Sequence, residues 1–292
     1  MKILISTDTS CLLKNGMLEK LGISVFPLNV IIDGEEYLDS VTINQEQLCE
    51  AMRSGKSIKT STPAYGIILE YFDKLFEQGY DHIIHFTISS KLSSMYNLFY
   101  GISEENYQGK LTVIDSYSLS TGMLNNVLYA YDEVNKGTSI DKIVEEIENR
   151  KNTNEIVFIP ENLNALKNGG RISPAIAAIA NTIGIKPLIV LEDGALEKDK
   201  MIKNVKNALF ERFSKALETK PVEEYDYTLV SFYPKEVVYN NLKNECIKLI
   251  REENILEGLI PINVCAHCGP GSIGVLVTKK INNKSIKEFM WK

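Results

Sequence analysis

Residue types that often announce chemistry are scarce in this 292-residue chain, which has three histidines, one tryptophan and five cysteines. The cysteines fall at irregular spacing and do not form the even framework of a secreted disulfide scaffold. No apolar run reaches the roughly 20 residues a membrane-spanning helix needs. The most apolar stretch, "ISPAIAAIANTIGIKPLIVL", is interrupted by Pro174, Asn181, Lys186 and Pro187, which suits a buried core or pocket wall. The opening "MKILISTDTS" offers Ile3, Leu4 and Ile5 before Ser6 and Asp8, too little for a signal-peptide core. Long Lys/Arg runs are also missing, and the net charge of −6 supplies no basic face for nucleic-acid phosphates. These absences predict a cytoplasmic protein with no nucleic-acid partner and no integral membrane segment.

Familiar catalytic signatures are missing as well. There is no G-x-S-x-G elbow, no Gly-Lys-Ser/Thr of a P-loop, and no pair of neighbouring carboxylates arranged for acid–base work. "GPGSIG" (269–274) fits G-x-G-x-x-G, a dinucleotide fingerprint where it joins a strand to a helix. The run "IGVLVTKK" that comes directly after the turn reads as a strand, and too little chain remains for the helix, second strand and acidic residue of that fold. A glycine-rich turn between two strands is the better reading. In "CAHC", Cys265 and His267 would share one face of a strand while Cys268 turns away. With no second ligand pair at short spacing, buried thiols are expected there rather than zinc.

What the chain does contain is alternation. Ile- and Val-rich runs at 2–6, 23–32, 82–88, 111–115, 155–160, 187–191, 227–232, 259–265 and 273–278 read as strands. Amphipathic segments such as 65–78 and 139–151 lie between them and read as helices. The pattern predicts an α/β fold with a mostly parallel sheet, and Asp33-Gly34 between apolar runs predicts one hairpin. The polar segment "ENRKNTNE" (148–155) divides the chain into an N-terminal α/β domain, 1–152, and a C-terminal α/β domain, 153–292.

Two turns are rich in hydroxyls. In "SIKTSTPAYG" Thr62 suits a helix N-cap and Pro63 the first helical position. In "FTISSKLSSMYN" the apolar run gives way to Ser89, Ser90, Ser93 and Ser94 before another helix-like stretch. Free backbone N–H groups and spare hydroxyls at such places suit a single anion such as a carboxylate. "LKNGGRIS" (166–173) ends a helix at Gly169-Gly170 and puts Arg171 either on an exposed turn or at the rim of a pocket lined by the apolar stretch after it.

Together these motifs carry a resemblance. "STDTS" (6–10), "TSTP" (60–63), "SSKLSSMY" (89–96), "IDSYSLSTG" (114–122), "LKNGGRIS" (166–173), "IGIKPLI" (183–189) with "DG" (193–194), and "HCGPGSIG" (267–274) resemble, in order and over almost the whole chain, the DegV family of bacterial fatty-acid-binding proteins. The resemblance implies two α/β domains, with mostly parallel or mixed sheets and a long-chain fatty acid held between them. Ser61 and Ser93, flanked by Thr62 and Ser94, would hold its carboxylate, and His267 would orient a hydroxyl or bind the head group. Arg171, Gly269 and Gly271 would form the rim, and Ile172, Ile176, Ile179 and Ile183 the acyl tunnel. No cofactor is implied. The partner would be a separate ATP-dependent fatty acid kinase subunit that forms an acyl phosphate for phospholipid synthesis. Lys91, Ser94, Met95 and Cys268 stand where the family usually has glycine, glycine, threonine and threonine. The competing expectation is an α/β acyl- or phosphoryl-transfer enzyme with His267 as base.

Overall fold

A computed structural model describes residues 1–14, 16–173, 176 and 184–290. Three sheets organise the described residues. β1 (Ile3–Asp8), β2 (Ser24–Phe26), β6 (His82–Thr87) and β7 (Leu111–Asp115) form an all-parallel sheet in the order β2-β1-β6-β7. β6 is buried along its whole length, as expected of a strand covered on both faces. α2 (Tyr65–Glu77) leads into β6 and α3 (Met95–Asn106) crosses from β6 to β7, while α4 (Ser120–Asn135) and α5 (Ile140–Asn149) follow β7 and lead out of this sheet.

Beside it lies a small antiparallel sheet of β3 (Asn29–Ile32), β4 (Glu35–Leu38) and β5 (Ile58–Ser61), with α1 (Gln45–Arg53) between β4 and β5. The Asp33-Gly34 hairpin is there, with φ of 52° and 90°, the left-handed pair that a tight two-residue hairpin demands. Pro27 ends β2, so the run 23–32 makes two strands in two different sheets rather than one.

The third sheet is built wholly from the second half of the chain: β8 (Glu155–Ile159), β9 (Lys186–Glu192), β10 (Ala195–Ile202), β11 (Tyr225–Phe232), β12 (Ile255–Leu259) and β13 (Ser272–Lys279), ordered β10-β9-β8-β13-β11-β12. It is mixed: β11 and β12 pair parallel and the other neighbours antiparallel. The α/β fold is therefore parallel in its first sheet and mixed in its last. Alternation alone points to parallel strands throughout, and it misses a second two-residue turn. That turn, Asp193-Gly194 with φ of 47° and 77°, folds β10 back on β9.

α4 joins the halves. It packs against β1 and β6 on one side and β13 on the other. Residues 120–130 are buried all round, the mark of a helix enclosed in a core. Two of its buried side-chain amides donate outward: Asn125 Nδ2 to the Lys279 carbonyl of the second half at 2.7 Å and Asn126 Nδ2 to the Ser116 carbonyl at 3.3 Å. One apolar core therefore runs from Leu4, Ile84 and Phe99 through Met123 and Leu124 to Ile156, Phe158 and Leu276. A second core lies between the large sheet and the helices Val205–Leu217 and Glu236–Leu249.

Two local expectations are corrected. "INVCAHC" is a helix, Ile262–Cys268, entered through Pro261, and not the end of a strand. Thr62 does not cap α2: the helix starts at Tyr65, and its N-cap position is Ala64.

Candidate functional site

Where the halves meet, β5, the turn before α3 and the helix Ile262–Cys268 enclose a cavity of about 100 Å³. All five hydroxyl and imidazole candidates line it: Ser61, Thr62, Ser93, Ser94 and His267. Arg171 is on the same wall, half-buried, but no described residue of the apolar stretch 172–185 lines the cavity with it. Apart from Asn29, Thr60 and Asn263, the remaining wall is apolar and comes from both halves, with Leu28, Ile88, Leu92 and Leu119 on one side and Phe158 and Leu196 on the other.

Local structure explains how each group arrives. β5 pairs with β3 in register, Asn29 opposite Ser61 and Val30 opposite Thr60, and this carries the TSTP segment to the boundary. Backbone bonds from Leu92 and Ser93 to the Ser89 carbonyl, at 2.9 and 3.1 Å, curl the second hydroxyl-rich turn into the start of α3. Ser93 Oγ accepts from the Met95 N–H at 3.4 Å. α6 (Leu163–Asn168) stops at Gly169, and Gly170, with φ of 72°, reverses the chain to deliver Arg171.

His267 is fixed from two sides. Its Nε2 is hydrogen-bonded to Thr60 Oγ1 at 2.9 Å, tying the C-terminal half to β5. On the other side, a Cβ on Gly169 would lie 2.8 Å from Nδ1, so glycine there makes room for the ring. Burial, and secondarily the Arg171 charge, lowers the His267 pKa to about 4, leaving the imidazole neutral at pH 7. Burial also lowers the Arg171 pKa, while its Nε donates to the Leu92 carbonyl at 3.2 Å.

Ser61 has a rival partner. Its hydroxyl donates to Glu36 Oε1 at 3.2 Å, and the same oxygen accepts from Asn29 Nδ2. A side-chain carboxylate thus already sits on two donors that line the cavity. Neither Glu36 nor Asn29 stands out in the sequence. What brings them to Ser61 is the β4-β3-β5 pairing, a long-range property.

Other candidates lie elsewhere. Gly269 and Gly271 pack on the β8–α6 turn: a Cβ at either would lie 2.8 Å from Asn162 or Glu161 respectively. Their closeness serves that turn rather than the cavity mouth. Ile172 and Ile176 are buried in the core shared by the two halves, whereas Ile179 and Ile183 lie outside the described residues. Asn263, Leu196 and Phe158 line the cavity without any signal in the sequence to mark them. Among the described residues no group of three side chains could hold a metal ion, and no helix is long and apolar enough to cross a membrane.

A two-half α/β protein with a mixed polar and apolar cavity at the junction is the class this geometry defines. The DegV family model matches residues 2–280, and the chain belongs to that family. It is 31% identical over 285 residues to a DegV domain-containing protein of Staphylococcus aureus (strain COL), covering 96% of this chain and 99% of the relative. A DegV domain-containing protein of Clostridium acetobutylicum is 28% identical over 280 residues, covering 96% and 99%. Among solved structures, a fatty acid binding DegV family protein from Streptococcus agalactiae superposes with a TM-score of 0.83 at 24% identity, over 96% of this chain and 99% of that one. A stearic acid-binding protein from Eubacterium ventriosum gives 0.82 at 24% identity, over 97% and 99%. These likenesses establish the fold.

Proposed function

We propose that this chain binds a long-chain fatty acid between an N-terminal domain, 1–152, and a C-terminal domain, 153–292, and presents its carboxylate to a separate ATP-dependent kinase subunit. The observation that carries the reading is the gathering of Ser61, Thr62, Ser93, Ser94 and His267 around one cavity whose other wall is mostly apolar. The solved relatives described as fatty acid binding support the choice of ligand. A fatty acid needs these two surfaces together, hydroxyls for the carboxylate and a greasy wall for the tail.

Energetics divide the labour. Burying a methylene is worth about 0.8 kcal/mol, so a tail of roughly 14 methylenes offers about 11 kcal/mol before ordering costs. A hydrogen bond to a charged group adds about 1.5–3 kcal/mol. The tail supplies affinity and the Ser/His cluster supplies position. The cavity, about 100 Å³, is smaller than the roughly 300–1,000 Å³ of ordinary ligand sites, so a long chain must part the apolar wall as it enters. In phosphoryl transfer a carboxylate oxygen attacks the terminal phosphorus of a nucleoside triphosphate, and the bond to the leaving diphosphate breaks. This chain's part is to hold that oxygen still at the mouth.

Native mass spectrometry of the purified protein, with mass analysis of an organic extract, tests the reading. A fatty acid present near one per chain is expected. A protein that neither carries nor takes up fatty acid, yet binds nucleotide by itself, would overturn the proposal in favour of an enzyme with its own transfer chemistry.

A further inference from the structure

Behind His267 lies a second, larger cleft of about 560 Å³. Thr60, Arg171 and His267 line both spaces and so form the partition between them. Beyond the partition the cleft is walled by Lys56 and Lys59 from the approach to β5 and by Asn162, Asn164 and Asn168 around α6.

The chain carries a net charge of −6, and several of its lysines pair with an Asp or Glu, as Lys74, Lys186, Lys206 and Lys243 do. The cleft has two lysines and an arginine, and among the described residues no acidic side chain lines it. Lys56 and Lys59 are exposed and make no ion pair with any described residue. The side-chain amides of Asn164 and Asn168 also have no partner among the described residues. Unpaired cations beside unpaired amide donors, concentrated in one concave place, favour an anion that is both charged and rich in acceptor oxygens.

We infer that this cleft is a phosphate subsite, placed so that a phosphate group in it lies across the Thr60–His267–Arg171 partition from the fatty acid carboxylate. The inference rests on the proposed function, because it is the transfer to a carboxylate that gives a phosphate a reason to be there. The phosphate has two sources: the terminal phosphates of the nucleoside triphosphate donor, or the phosphate of the acyl phosphate product. Lys56 and Lys59 supply the charge and the asparagine amides the directional bonds.

Calorimetric titration at low salt tests it with three probes: hexadecanoate, hexadecanoyl phosphate and tripolyphosphate. The last is added to the protein both free and loaded with hexadecanoate. The variants are K56A/K59A, at exposed positions where folding is not at stake, and the single substitutions. For a product site, hexadecanoyl phosphate binds about tenfold more weakly to the double variant than to the parent, while hexadecanoate binds both alike. For a donor site, tripolyphosphate binds the loaded parent and is lost from the double variant. Either result supports the subsite and says which phosphate occupies it. If hexadecanoate binds and neither phosphate probe distinguishes parent from variant, the subsite is wrong while the fatty acid reading stands. If the lysine substitutions weaken kinase docking alone and leave both probes unchanged, the cleft is a protein contact, and the subsite is again overturned. Failure of hexadecanoate to bind at all sinks the fatty acid reading separately, because the tripolyphosphate arm still reads the cleft.

Discussion

At the scale of single residues, the telling contact is between Ser61 and Glu36. The Ser61 hydroxyl donates to a carboxylate supplied by the protein itself, at 3.2 Å, with Asn29 as the second donor to the same oxygen. An incoming fatty acid carboxylate that uses Ser61 must displace this contact and approach a like charge. Like charges close together raise the cost of the ionised ligand. Glu36→Gln keeps the side chain's size and its acceptor oxygen but removes the charge. The variant is expected to bind hexadecanoate about three- to fivefold more tightly, on the scale of an exposed charge interaction. Displacement of a fluorescent fatty acid measures this. Unchanged affinity would mean that Ser61 stays with Glu36 and that Ser93 and His267 alone face the carboxylate.

At the scale of elements, the helix Ile262–Cys268 decides where His267 stands, and its start is held by the other half of the molecule. The Asn263 N–H donates to Asp39 Oδ2 at 3.0 Å, and Asn263 Nδ2 donates to Ser10 Oγ at 2.7 Å. Asp39 also accepts from Thr9 Oγ1 at 3.0 Å and Ser40 Oγ at 2.7 Å. Asp39→Ala strands these donors in a buried place and is expected to cost about 3 kcal/mol of stability. Chemical denaturation checks this, and a loss below about 1 kcal/mol would show that the helix is held by packing alone. Thr9 and Ser10 belong to the STDTS motif, but their link to this helix is not visible in the sequence, for the contacts join residues more than two hundred positions apart. The helix itself reads as a strand because seven residues rich in Ile, Val and Cys make only two turns, too short for a helical period to show. β5 is hidden for a related reason: "IKTS" has one apolar residue, and it is a strand because β3 offers it an edge. By contrast Leu111–Asp115 is legible to the residue, since a strand covered on both faces is apolar along most of its length. The hydroxyl cluster is legible too, because its members stand together in two short hydroxyl-rich turns, and both turns reach the same cavity.

At the scale of the whole molecule, the buried titratable groups pull stability in opposite directions. Burial raises the pKa of both Asp8 and Asp39 to about 6. Between pH 4 and 6 the folded chain holds these protons and the unfolded chain does not, so they withdraw stability as the pH rises. Burial lowers His85 to about 3 and His267 to about 4. Between pH 4 and 6.5 it is then the unfolded chain that holds the proton, so the histidines add stability as the pH rises through that window. The two pairs oppose one another, and the intact protein should show a shallow profile there. His267→Asn removes one of the opposing contributions and keeps a polar side chain beside Thr60. Its stability, measured by urea denaturation from pH 4.5 to 6.5, should fall relative to the parent by about 2 kcal/mol as the pH rises across that range. Parallel profiles for parent and variant would mean that His267 is solvated and protonates normally. The carboxylate would then face an imidazolium at mildly acid pH, and fatty acid binding would strengthen there instead of staying constant.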